Sequence, residues 1–331
     1  MNTELVKHRI LTVVSTIVCF YTATNSGPSF AAPAPSTALT NRSSVKAEQL
    51  PKAPLDPSED VDQIITNPRL RAGSGSKSKY SISTGFGYSG GSLKRPFGDT
   101  RPNISGATGT TDFAVFGASV SGKYSLTPQS AVFAGTGFRI MTPLGGLEKP
   151  KGFSGQKFDL DNPSIRYQYL YRWADKIQSA LSVSQTFFTA SNLRANGFLT
   201  SWGISQDNVM EIGHSGVSLA LSGFVGFGVF DKSGPEQLKE QSDYGFGLSP
   251  AIEYRINDRF NLRFDTNLFN FQHIRSTTAG WTFRRLDTVQ NFNVGIALAR
   301  DVFISPGVSF VLGDLRADRT TFGIGGSINL F

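Results

Sequence analysis

His214 and Ser215, within Glu211-Ile212-Gly213-His214-Ser215-Gly216, are the conspicuous imidazole and hydroxyl pair in this sequence, and the chemistry they suggest is nucleophilic hydrolysis. That chemistry needs the imidazole within hydrogen-bond reach of the hydroxyl. On an extended strand residues i and i+2 share a face, whereas neighbours point to opposite faces, so an adjacent pair is wrongly set. The expected role of His214 is that of a turn residue, and no catalytic residue is assigned. Metal binding has still less support: His8, His214 and His273 are scattered and lack the carboxylate cluster a site needs. No metal and no cofactor are expected.

A second set of residues suits a different task. Lys123, Arg139, Arg166, Arg172, Glu253, Arg255, Arg263 and Asp265 each stand beside apolar or aromatic residues that recur at every second position. Charges so placed share the face opposite the apolar one, among many Ser, Gly and Asn residues, and basic groups outnumber acidic ones. Such a face can line an aqueous lumen, where excess positive charge favours anions. The competing reading is that the charges pair across strands and close the lumen. Lys94, Arg95 and Arg101 form a separate basic stretch that suits phosphate oxygens, although a solvated basic loop is the commoner case.

The elements that position these residues are strands. Tyr80, Ile82, Thr84, Phe86 and Tyr88 alternate with Ser81, Ser83, Gly85 and Gly87. The same period returns in Ala114 to Tyr124, Val132 to Ile140, Ile165 to Trp173, Val217 to Val229, Tyr244 to Tyr254, Phe260 to Leu268, Phe292 to Leu298 and Val302 to Phe310, and a last strand runs from about Thr320 to Phe331. These segments are longer than the strands of soluble sheets and suit a tilted membrane crossing. One more strand is expected within 197–212 to bring the ends together. The count is then about twelve, with ten as the runner-up because Asp207-Asn208 interrupts the alternation.

Short connections at 126–129, 174–176, 257–259 and 299–301 alternate with long ones at 90–110, 143–161, 231–242 and 272–285. A three-residue loop at 257–259 sets Tyr254 opposite Leu262 and Glu253 opposite Arg263; the turn at 299–301 sets Leu298 opposite Val302 and Ile296 opposite Ile304. Tyr88, Tyr124, Tyr171, Trp173, Tyr244 and Tyr254 fall near strand ends, where amphipathic rings sit at headgroup level.

The start of the chain reads as an address. Lys7, His8 and Arg9 precede an apolar run from Ile10 to about Ala23, and Ser29-Phe30-Ala31 offers small residues for cleavage, so residues 1–31 are expected to be a signal peptide. The run falls short of the roughly 20 residues a spanning helix needs. Cys19, the one cysteine, lies inside it, so no disulfide is expected. Residues 32–76 are rich in Pro, Ser and Ala and then charged, with a helix-compatible stretch at 58–66 stopped by Asn67-Pro68. They read as a flexible, disordered periplasmic arm, with a lumenal plug as the alternative. The net charge of +7 does not point to nucleic acid in a secreted chain without a Lys/Arg stripe. With 35 Gly, 27 Phe and only 39% hydrophobic residues, the remainder matches a barrel, in which alternation keeps apolar groups on one face.

These features together resemble the bacterial outer-membrane β-barrel proteins, over residues 77–331. The final Gly325-Gly326-Ser327-Ile328-Asn329-Leu330-Phe331 is similar to their assembly signal, with Phe331 as its last residue, although Ile324, Ile328 and Leu330 stand out of phase with Phe331. The resemblance implies an all-β, transmembrane, antiparallel up-and-down barrel in the outer membrane. Expected partners are outer-membrane lipids, lipopolysaccharide, the barrel-assembly machinery and small solutes, with the chain a monomer that binds no nucleic acid. It implies a narrow passive pore with modest anion preference; a closed structural or adhesive barrel is the alternative. Membrane-embedded lipid hydrolases of this architecture present His-x-Ser-Asn, from which His214-Ser215 departs, so the chain is not expected to be an enzyme.

Overall fold

The computed structural model describes residues 64–105, 113–144, 158–173, 176–189, 193–194, 197–213, 215–231, 242–257, 259–274, 283–299 and 301–330. The signal segment 1–31, the arm up to residue 63, His214 and Phe331 lie outside the described residues.

Alternation with period two yields antiparallel strands throughout: β1 (Tyr80–Ser92), β2 (Val115–Thr127), β3 (Ser130–Met141), β4 (Phe158–Leu160), β5 (Ser164–Trp173), β6 (Ile177–Phe187), β7 (Phe198–Glu211) and β8 (Val217–Phe230). They continue as β9 (Ser242–Arg255), β10 (Phe260–Thr266), β11 (Phe269–Ile274), β12 (Phe283–Arg285), β13 (Gln290–Ala299), β14 (Val302–Phe310) and β15 (Thr321–Leu330). Three staves are interrupted. β4 and β5 both pair with β3 across a break at Pro163, which has no N–H to give the ladder. There Asp161 N donates to Gly137 O at 2.8 Å and Thr136 Oγ1 donates to Asp161 O at 2.8 Å. β10 and β11 share β9 as a partner, and β13 and β12 pair with them in turn. Counted as staves the sheet has twelve, closed through β1 with β15 and β9 with β10.

The strand expected within 197–212 is β7, which passes through Asp207 and Asn208 without a break, so the count of ten falls away. Asp207 serves the inner face, and Asn208 Oδ1 accepts from Ser179 Oγ at 2.9 Å on the outer one. At the turn after β9, Tyr254 stands opposite Leu262 and Glu253 opposite Arg263, as the alternation requires. The turn after β13 departs from expectation. Ala299, not Leu298, faces Val302, and pairing resumes with Ala297 opposite Phe303 and Ile296 opposite Ile304. A tighter turn takes Ala299 as its pair and leaves Leu298 as a bulge.

Side-chain burial is inverted relative to a soluble domain. Val120, Leu221, Ile252 and Leu298 are exposed, while Lys123, Gln168, Glu253, Asp265, Gln272 and Asn293 are buried. That is the distribution of a barrel with an apolar outer belt and a polar interior. On β15, Ile324, Ile328 and Leu330 face outward with their partners Tyr88, Thr84 and Ile82.

Candidate functional site: the lumen and the segment across its mouth

Residues 64–76 lie inside the barrel at the short-turn end, so this part of the expected arm is an ordered lumenal segment, as in the alternative reading, and not a flexible one. Asn67-Pro68 opens a helix instead of stopping one: α1 (Pro68–Gly73) has Pro in its first turn and Asn67 as its N-cap, accepting from Leu70 N at 3.1 Å. Pro supplies the helical φ where no intrahelical donor is needed, which is why the dipeptide works as a start. Beyond the helix Gly75 takes φ +74°, a region that favours glycine, and a Cβ there would sit 2.9 Å from Lys123 Cδ.

The segment is held from around the wall. Ile64, Ile65 and Leu70 are buried against Leu170 of β5, Ala180 of β6, Val209 of β7, Ala220 of β8 and Ala251 of β9. Each fully buried aliphatic side chain contributes about 1.5–3 kcal/mol. On the far side Ala72 packs on Ala297 and Phe303 of β13 and β14. Polar ties alternate with these contacts. Arg172 Nε donates to Ile64 O, Gln178 Oε1 accepts from the backbone N–H of both Thr66 and Asn67 at 2.7 Å, and Lys123 Nζ donates to Ser76 O at 2.6 Å.

At the centre stands an ionic network. Arg69 lies 3.3 Å from Glu253 Oε1 and 3.4 Å from Asp207 Oδ1; Glu253 also binds Arg263, whose Nε lies 3.1 Å from Asp265 Oδ1. Asn67 Nδ2 donates to Glu253 Oε2 at 2.8 Å, Asn291 Nδ2 to Asp265 Oδ2 at 2.7 Å, and Ser222 Oγ to Asp207. Glu253 is the anchor, because its side chain is 5% exposed and bound by three residues, whereas that of Asp207 is 30% exposed. Isolated charges are costly to bury, so each of these carboxylates draws a compensating donor.

The sequence-derived lumen residues thus divide. Glu253, Arg263 and Asp265 join the network, and Lys123 and Arg172 hold the segment. Arg139 Nε pairs with Asp161 Oδ1 at 2.7 Å near the break between β4 and β5. Arg166 lies over the Phe133 ring, 4.3 Å from its centroid. Arg255 lines a recess of about 190 Å³ beside α1, with Arg259, Asn257 and Glu211. A second recess, of about 390 Å³, lies between the segment and β2–β5, and includes Lys77, Lys79, Lys123 and Gln168. Sequence reasoning missed Asn67, Arg69, Gln178 and Asp207. The signal for them was present: Leu170, Ala180, Val209, Ala220 and Ala251 are apolar residues at inward positions near the short-turn ends of consecutive strands, a strip that only an apolar occupant explains.

The aromatic residues near the strand ends differ among themselves. Tyr88 is 7% exposed, its hydroxyl donates to Pro96 O at 3.0 Å, and Phe97 stacks on its ring, so the loop after β1 covers it and it is not a bare girdle residue. Tyr124, Trp173 and Tyr254 are exposed at the short-turn end, Tyr171 Oη accepts from Gln206 Nε2 at 2.8 Å, and Tyr244 packs on His273. His273 Nδ1 lies 2.5 Å from Asp243 Oδ1, between the rings of Tyr244 and Phe283. Among the described residues no group of three His, Cys, Asp or Glu side chains could hold a metal ion. Lys94 Nζ lies 3.7 Å from Asp318 in the loop before β15, and Arg316 binds Asp314 and Asp318 there.

No family model and no curated protein matches the chain. Among solved structures it is similar to the KdgM porin, at 9% identity over 75% of this chain and 98% of that one, with a TM-score of 0.40. It is also similar to the NanC porin, at 10% identity over 75% and 97%, TM-score 0.40, and to an outer membrane channel from Pseudomonas putida F1, at 11% over 77% and 97%, TM-score 0.49. At such identities the likeness is one of barrel architecture.

Proposed function

We propose that the protein is a narrow passive pore of the bacterial outer membrane for small solutes, with a modest preference for anions, and that residues 64–76 form its periplasmic constriction. The observation that carries this reading is the separation of charge across the lumen at the level of the segment. Lys77, Lys79, Lys123 and Arg166 lie toward β2–β5, whereas Asp207, Glu253 and Asp265 lie on β7, β9 and β10 and are already bound to Arg69 and Arg263. A solute passing beside the segment on the β2–β5 side meets the cations first, which favours anions. The lumen also asks for water. Ser81 Oγ, Gln272 Oε1 and Asn293 Nδ2 are buried without a protein hydrogen bond, a cost that hydration removes.

In this reading the chain is a monomer seated in lipid and lipopolysaccharide, delivered by the barrel-assembly machinery after loss of residues 1–31. It performs no chemistry. The test is single-channel recording of refolded residues 32–331 in a planar bilayer under a salt gradient. Discrete openings with an anion-selective reversal potential support the pore. A correctly folded but silent barrel overturns it in favour of a structural or adhesive role.

A further inference from the structure

We infer that Arg166 is a docking site for a small oxyanion, the carboxylate or phosphate group of a permeating solute. The inference rests on the pore reading and adds the chemistry of what is bound. Its first support is the state of the inward-facing cations. Lys123 is committed to Ser76 O, Arg172 to Ile64 O, Arg139 to Asp161, and Arg69 and Arg263 to the carboxylate network. Arg166 contacts the face of Phe133, and among the described residues no carboxylate lies within ion-pair distance of it.

The second support is the geometry of that contact. A guanidinium laid over an aromatic ring gives up one face and keeps its N–H edge, which projects in the plane. That edge is a rigid fork matched to two oxygens of a carboxylate or phosphate. Arg166 Cζ lies 4.3 Å from the Phe133 centroid, and none of its donors is committed to a protein acceptor among the described residues.

The third support is the space beside it. Cross-strand pairing sets Lys123, Phe133, Arg166, Ser184, Gly203, Gly226 and Gly245 in one continuous row on the inner wall. Beyond Arg166 the row offers one hydroxyl and then three glycines, so among the described residues the row itself projects no long side chain there. Gln168, two residues further along β5, lines the recess that holds Lys77, Lys79 and Lys123. Arg166 is the next inward-facing residue of β5 beyond Gln168, one inward position from an anion held in that recess.

The test titrates sodium acetate, and separately inorganic phosphate, into a constant chloride background during single-channel recording. Wild type is expected to show saturable reduction of the chloride current by at least one of the two, and comparison of the two arms tells carboxylate from phosphate. Arg166→Ala should abolish saturation. Arg166→Lys should keep the charge but lose at least tenfold in apparent affinity, and Phe133→Leu should weaken it several-fold. Equal titrations in wild type and Arg166→Ala overturn the site and leave the pore intact. Carbon-13 acetate and phosphorus-31 linewidths with the detergent-refolded barrel read binding without conduction. Broadening that Arg166→Ala removes, in a silent barrel, retains the site and overturns the pore; no broadening in either overturns the site.

Discussion

Arg69 Nε on the lumenal helix lies 3.3 Å from Glu253 Oε1 on β9, and the same carboxylate binds Arg263 of β10. The wall thus keeps a partner for Glu253 when Arg69 is removed, and Ser222 still serves Asp207. Arg69→Ala should loosen the segment by about 1.5–3 kcal/mol, the worth of hydrogen bonds to charged groups, and leave the barrel folded. The expected result is a larger and noisier single-channel conductance with unchanged heat-modifiable migration on gels. Unchanged conductance would show that the segment does not limit flow.

Ala72 is buried in one cluster with Ala297 and Phe303, and Cys19 is the chain's one cysteine and lies within the expected signal. A barrel carrying Ala72→Cys and Ala297→Cys can therefore be crosslinked in place. Oxidation should leave conductance at the wild-type level, because solutes pass beside the segment. A current that collapses on oxidation and returns with reductant would mean that the segment must leave for conduction.

Gly326 of β15 sits under the Phe86 ring at the seam between first and last strands. A Cβ there would lie 2.3 Å from Phe86 Cζ and 2.7 Å from the backbone oxygen of Phe303. Gly326→Ala should cost on the order of 1–3 kcal/mol through overpacking, seen as a lower temperature for loss of heat-modifiable migration. Gly313, with nothing near its Cβ position, is the control and should tolerate alanine.

Trp173 is 63% exposed at the short-turn end of β5. In a chain with Trp202→Phe and Trp281→Phe, its fluorescence should be quenched most by lipids brominated near the headgroup. Strongest quenching by bromine deep in the acyl chains would displace the belt from the position the girdle gives it.

Much of this molecule is written in period two. The pairing of Glu253 with Arg263 follows because a slip of one residue would drive Tyr254 and Leu262 into the lumen. Leu298 was not legible in the same way, since a bulge exchanges one residue of turn for one of ladder without disturbing the apolar face. Asn67-Pro68 was misread because the pair can stop a helix or cap one, and only the hydrogen bond to Leu70 N decides between them. The lumenal position of Arg69 depends on carboxylates more than one hundred residues away in sequence, and no local pattern reports them.

The contacts that hold residues 64–76 come from β2, β5, β6, β7, β8, β9, β13 and β14, and these strands surround a common centre only when the sheet has its final curvature. A flat or open sheet can offer the segment some of them but not all at once. Docking energy of that kind accrues to one member of an equilibrium, and a ligand that prefers one state shifts the population toward it. Because the segment leads directly into β1, it is covalently present while β15 is still seeking its partner. The chain therefore supplies an internal template for its own curvature, and loss of the segment should slow assembly as well as widen the mouth.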